Sequence, residues 1–121
     1  MAEQRQRAAP RFHLIARVDI MMADRAEPIW GAVGNISRTG VALYVREPLK
    51  PSGKTTLRFR FQADGGREIT EDLTATIVWQ RGETAGLEFE APLIADSATA
   101  VQAPNLAAHI AKNEAAALWP L

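Results

Sequence analysis

The stretch Gly34–Val45, GNISRTGVALYV, decides how the rest of the chain is read. Val41, Leu43 and Val45 alternate with Ala42, Tyr44 and Arg46, the period-two pattern of a strand with one buried face. Ala32, Gly34 and Ile36 continue the alternation upstream, so two strands meet at Ser37-Arg38-Thr39-Gly40. The turn has a mechanism. Asn35 and Ser37 can fold their side chains back onto nearby backbone N–H groups, and Gly40 is expected to take the positive φ that closes a short hairpin loop. Side chains two apart on an extended chain share a face, which points Asn35 and Ser37 the same way, opposite Ile36. The expectation is a polar, hydrogen-bonding ledge at a sheet edge.

Bulk composition narrows the rest. A chain of 121 residues, 47% hydrophobic and 23% charged, is expected to form one small globular unit with a single core. It contains no cysteine, which removes disulfide frameworks and thiolate chemistry. With 14 basic and 14 acidic residues the formal net charge is zero, which argues against binding DNA or RNA by general phosphate neutralisation. Any anion site must therefore be local. Arg5, Arg7 and Arg11 stand where a secretory signal needs an apolar run, and no apolar segment is long enough to span a bilayer. The reading is a soluble, cytoplasmic protein without membrane insertion.

Residues 1–11 have no apolar periodicity and read as a flexible basic arm. Pro10 disfavours helix at Ala9, so Arg7 and Arg11 ride on extended chain, about 13 Å apart. Residues 12–95 read as a barrel. Phe12 to Ile20 alternates as a first strand, Pro28 to Ile36 as a second and Gly40 to Arg46 as a third. Leu57, Phe59 and Phe61 set against Arg58, Arg60 and Gln62 give the cleanest alternation, a fourth strand with a basic outer face that Asp64-Gly65-Gly66 turns. Leu73, Ala75, Ile77 and Trp79 share one face of a fifth strand, and Ala85 to Glu90 forms the sixth. Six strands joined mostly by short turns predict a mainly β fold, an antiparallel barrel that leaves no exposed edge. Residues 96–121 are alanine-rich, with Asp96 and Ser97 as candidate caps, Pro104 as a break, and Asn105 capping a helix from Leu106 to Leu118. Its apolar face is thin and interrupted by Glu114. Packing on the barrel is the preferred reading, and waiting for a partner the other.

No catalytic set emerges. The two histidines, His13 and His109, are far apart in sequence, there are no paired carboxylates at a telling spacing, and Ser37 lacks the G-x-S-x-G context of a nucleophile elbow. No metal ligand set, no cofactor and no enzyme activity are expected. Arginine, asparagine and serine on one surface suit a different task. Guanidinium forks match phosphate and the O6/N7 edge of guanine, while amide and hydroxyl groups satisfy other polar edges of a base.

The arm and the ledge together resemble the PilZ domain, a bacterial family whose members commonly bind cyclic di-GMP. The family pattern R-x-x-x-R followed by [D/N]-x-S-x-x-G is matched by Arg7-Ala-Ala-Pro-Arg11 and Asn35-Ile-Ser-Arg-Thr-Gly40. Val78-Trp79 and Gly86-Leu-Glu-Phe89 are similar to the family's later strands, and the resemblance runs over roughly residues 5 to 95. It implies a six-stranded PilZ-type β-barrel with a C-terminal α-helix and a ligand site on the barrel's outer surface, closed by the arm. Arg7 and Arg11 would hold phosphates and guanine edges, Asn35 and Ser37 would hydrogen-bond guanine, and Gly40 would keep the turn compact. Arg5, Arg38, Trp79 and Arg81 are secondary candidates. For Trp79, core packing beside Ile77 and Leu73 is the preferred reading, and stacking on the ligand the alternative. Asn35 in place of an aspartate removes a charge-assisted acceptor. The resemblance further implies a receptor without catalysis that relays cyclic di-GMP to an unidentified protein effector in motility, biofilm or exopolysaccharide control. The alternative is a PilZ-like interaction module that docks to motility or pilus machinery without ligand.

Overall fold

The computed structural model describes residues 9–49 and 53–118. Arg5 and Arg7 lie outside the described residues. Six strands, β1 (Ala16–Met22), β2 (Ile29–Ile36), β3 (Gly40–Val45), β4 (Lys54–Gln62), β5 (Glu68–Arg81) and β6 (Thr84–Phe89), are followed by helices α1 (Ala98–Gln102) and α2 (Pro104–Leu118). The strands close into a barrel in the order β1-β2-β3-β6-β5-β4, with every pairing antiparallel. Closure satisfies both edges of every strand, which a sheet of this size otherwise leaves open.

The alternation read in β4 holds: Leu57, Phe59 and Phe61 are buried and meet Val18, Ile20, Leu43, Leu73 and Ile77 in one core. Elsewhere two slips of phase correct the expected pattern. Between Val33 and Asn35 the β2–β3 register shifts by one residue, so Val33 and Ile36 both face inward and Asn35 is carried to the outer face. Ile36 therefore does not share a face with Ala32 and Gly34. A second shift, between Ile77 and Trp79 on β5, does the same for Trp79. Instead of packing beside Ile77 and Leu73, Trp79 is 44% exposed. A bulge adds one residue to one strand only, and everything beyond it changes face.

The expected first strand also starts late. Phe12 makes an isolated bridge to Ile36, donating to its carbonyl at 2.7 Å and accepting from its N–H at 2.9 Å, and regular pairing of β1 begins only at Ala16. Asp64–Gly66 is a single 3₁₀ turn in which Gly65 and Gly66 take positive φ.

Ser97 caps α1, its Oγ accepting from Ala100 N–H at 2.9 Å. Asn105, expected to cap α2, does not; a strand residue does so instead. Pro104 opens α2 without an N–H, and the next two donors, Asn105 N–H and Leu106 N–H, reach Glu71 of β5 at 2.8 and 2.9 Å. Asn105 Nδ2 also donates to Glu71, at 2.8 Å. The carboxylate sits where a helix N-terminus favours negative charge. Leu106 and Ile110 are fully buried in the barrel's core, so the helix packs on its own barrel.

Removing this cap leaves buried donors without partners. Glu71→Ala is expected to cost roughly 2–3 kcal/mol in urea denaturation, and Glu71→Gln less because one acceptor oxygen stays. Stability within about 0.5 kcal/mol of the native protein in both variants would mean that α2 is not held from β5.

Candidate functional site

The two bulged residues land on one line. Trp79 pairs with Gly86, Gly86 with Ala42, and Ala42 with Asn35, which gives an unbroken row across β5, β6, β3 and β2. Three inter-strand steps set the ends of the row about 14 Å apart. Its middle carries only the small residues Ala42 and Gly86, and the Trp79 indole lies over Gly86, where a Cβ would run into the ring.

Arg11 joins at the Asn35 end. The Phe12–Ile36 bridge lays the chain alongside β2, and Arg11 Nη1 donates to Asn35 Oδ1 at 2.7 Å, across 24 positions of sequence. Arg11 also lines a recess of about 200 Å³ with Thr39, Gly40, Val78, Trp79 and Glu88. A recess of that volume is smaller than the range that encloses small-molecule ligands, so anything of dinucleotide size would lie on this surface with much of its body outside.

The remaining sequence candidates divide. Ser37 does not form a ledge with Asn35. It is 1% exposed, and its Oγ accepts from Thr39 N–H at 3.2 Å and lies 3.1 Å from Thr39 Oγ1, while its N–H donates to Gly40 O at 2.8 Å. The separation comes from the end of β2 at Ile36: Ser37 belongs to the turn, where the strand's alternation no longer sets its direction. Gly40 does not take positive φ, which is confined among the described glycines to Gly65, Gly66 and Gly82. Its constraint is proximity: a Cβ there would run into the backbone oxygen of Leu87 on β6. Arg38 does not line the recess; its Nε stands 3.1 Å from Glu114 Oε2 on α2. Both atoms are buried and the N–H does not aim at the oxygen, so the pair is held by charge without hydrogen-bond geometry. Arg81 is exposed at the end of β5, opposite Thr84 and away from the recess.

Thr39, Val78 and Glu88 were not among the site residues expected from the sequence, although Val78 and Glu88 fall in the strands that resemble the family's. Glu88 carries the one carboxylate lining the recess, and an outward residue on a closing strand gives no sign of that by pattern alone. Among the described residues no group of three histidines, aspartates or glutamates is placed to hold a metal. None of the described helices is long and apolar enough to cross a membrane.

A small closed antiparallel barrel with a polar and aromatic row on its outer wall has the build of a ligand-binding module. The PilZ domain model matches residues 5–103, and the chain belongs to the PilZ domain family. A solved crystal structure of the PilZ domain of CeSA from a cellulose synthesizing bacterium shares the fold. Its TM-score is 0.59 at 21% sequence identity, with 87% of this chain and 98% of that chain covered. No curated protein sequence matches.

The two glycines of the site separate fold from surface. Gly40→Ala presses a methyl group on the backbone of β6 and is expected to cost about 1–3 kcal/mol in denaturation. At Gly86 the obstacle is the Trp79 indole, which is exposed and free to swing. Gly86→Ala is expected to shift the Trp79 Nε1–H resonance while stability changes by less than about 1 kcal/mol. An unmoved indole signal would contradict the packing described.

Proposed function

We propose that this chain is a single-domain receptor for cyclic di-GMP, with the ligand laid along the Trp79–Gly86–Ala42–Asn35 row and no catalytic activity or cofactor of its own. The observation that carries the reading is the convergence of three elements on that row: Arg11 against Asn35 at one end, two small residues between, and a partly exposed indole lying over Gly86 at the other. A guanidinium fork suits a phosphate or the O6/N7 edge of guanine, and an indole offers a face for a second base. Glu88 adds an acceptor for the N1–H and N2–H₂ donors of guanine, which compensates for an asparagine at position 35. Arg7, and with it Arg5, approaches in this reading from the arm, which orders over the ligand and so converts binding into a change of shape. Membership of the PilZ family supports the choice of ligand.

In this reading the receptor acts through a protein effector. We place it in the cytoplasm, in the control of motility, biofilm or exopolysaccharide. The second reading is a docking module without ligand, and one observation favours it: Ser37 and Arg38 are already engaged within the protein, at the turn and with Glu114.

Calorimetric titration with cyclic di-GMP, with GTP and cyclic di-AMP as controls, distinguishes the two. Saturable binding of cyclic di-GMP alone is expected. Arg7→Ala and Arg11→Ala should each weaken it at least about tenfold, and Asn35→Ala by about three- to tenfold. Ser37→Ala is expected to lower stability as well as affinity, because its hydroxyl closes the turn. Absence of binding by the native protein at high ligand would discard the receptor reading and leave the docking module.

A further inference from the structure

On the β1–β4 wall of the barrel Arg17 and Arg60 stand directly opposite each other. Like charges in that position repel, and a barrel wall ordinarily avoids them or gives each an acid. One register step away Arg58 has its own acid: Asp72 accepts from both Nε and Nη2, at 2.9 and 3.0 Å, and this raises the Arg58 pKa. Arg17 and Arg60 instead share one acid. Asp19, only 5% exposed, accepts from Arg17 Nε at 3.3 Å through one oxygen and from Arg60 Nη2 at 3.1 Å through the other.

The trio therefore carries one surplus positive charge, and each guanidinium makes a single hydrogen bond to Asp19 while holding five N–H donors. Arg17 has a further restraint. The Arg17 guanidinium lies 3.4 Å over the Trp30 ring, a contact that fixes its plane. Two cations oriented from below by a buried carboxylate, with donors left over, form a preorganised anion cradle.

The cradle opens into a cleft of about 910 Å³. Its facing wall is α2, which contributes His109, Lys112 and Asn113, and its one lining acid is Glu68. This volume lies in the range of small-ligand sites. The cleft is lined by residues 13–15, β1, β4 and α2 with Glu68 at the start of β5, whereas the motif row crosses β2, β3, β6 and the far end of β5, and no residue lines both the cleft and the recess beside Arg11.

We propose that this cleft is a second ligand site, which takes a multiply charged oxyanion, phosphate or carboxylate, on Arg17 and Arg60 with Lys112 closing from α2. An anion there bridges the barrel wall and the helix, and so ties α2 more firmly to β1 and β4. The site is independent of the cyclic di-GMP reading, and it is tested without that ligand.

The experiment is an NMR titration of the full chain with sodium pyrophosphate and, separately, with citrate, at constant ionic strength. Arginine Nε–H and backbone amide signals are followed. Saturable shifts of the Arg17 and Arg60 Nε–H signals and of α2 amides around Lys112 are expected. Saturation by pyrophosphate alone assigns the site to phosphate compounds, and saturation by citrate alone to carboxylates. Lys112→Gln, at an exposed helix position, is expected to weaken binding about three- to tenfold, and Arg60→Gln more than about tenfold. Arg11→Ala should leave it unchanged. Shifts that follow ionic strength alone, shifts abolished by Arg11→Ala, or affinity unaltered in Lys112→Gln and Arg60→Gln would each overturn the proposal.

Discussion

The outer surface of this barrel depends on two one-residue slips of strand register. Without the slip at Val33/Asn35, Asn35 would face the core and Ile36 the solvent, and a fully buried isoleucine would be traded for an amide with no partner inside. Without the slip at Ile77/Trp79, an indole would have to fit inside a core already filled by Phe59, Leu73 and Ile77. Each bulge removes a misfit from the interior and presents the offending side chain outside. That both fall on one row is a consequence of the pairing Trp79–Gly86–Ala42–Asn35, which runs at right angles to the strands. The lack of a side chain at Gly86 is what lets the Trp79 indole lie over it.

The C-terminal helix is tied to the same region by polar contacts as well as by its buried face. Glu71 holds its first turn. Further along, His109 Nε2 lies 3.2 Å from the His13 carbonyl, two residues beyond Arg11, and Glu114 meets Arg38 inside the turn that follows Asn35. The helix thus touches a neighbour of each half of the motif. Arg38 also anchors the turn through its carbonyl, which accepts from Leu93 N–H at 2.6 Å ahead of α1. Movement at either half of the motif has a direct mechanical route to α2, and the Arg38–Glu114 pair is the weaker of the restraints because it lacks hydrogen-bond geometry.

How much of this could be read in the chain follows from which interactions are local. The inward set of β4 is legible because alternation there is unbroken, and the short turns between strands carry their own residue signatures. The meeting of Arg11 with Asn35 was legible only through the resemblance to a family pattern, since nothing local links positions so far apart. The bulges were not legible. Extra residues such as Gly34 and Val78 look like ordinary members of a strand, and only the partner strand's register reveals them. Glu71 fails for a similar reason. On β5 it falls in phase with the inward Leu73, Ala75 and Ile77, where a carboxylate has no evident partner, and its role is set by a helix that begins 33 positions later. Ser37 was placed on the correct turn but not in its interior, because alternation was carried one residue past the end of β2, where the hydroxyl is taken up by Thr39 instead.

Charge follows the same division between sum and arrangement. The chain is neutral overall, which speaks against long-range attraction for polyanions, yet neutrality says nothing about individual walls. Arg58 with Asp72 is balanced in charge, one guanidinium to one carboxylate through two hydrogen bonds. Arg17 and Arg60 over Asp19 are not, because one carboxylate cannot match two guanidiniums. A pair of like charges is kept apart only at a cost, and Asp19, covered on the outer face of β1 by the side chains it binds, offsets part of it by attracting both. What Asp19 leaves unbalanced is directed outward, into a cleft wide enough to admit the missing counter-charge.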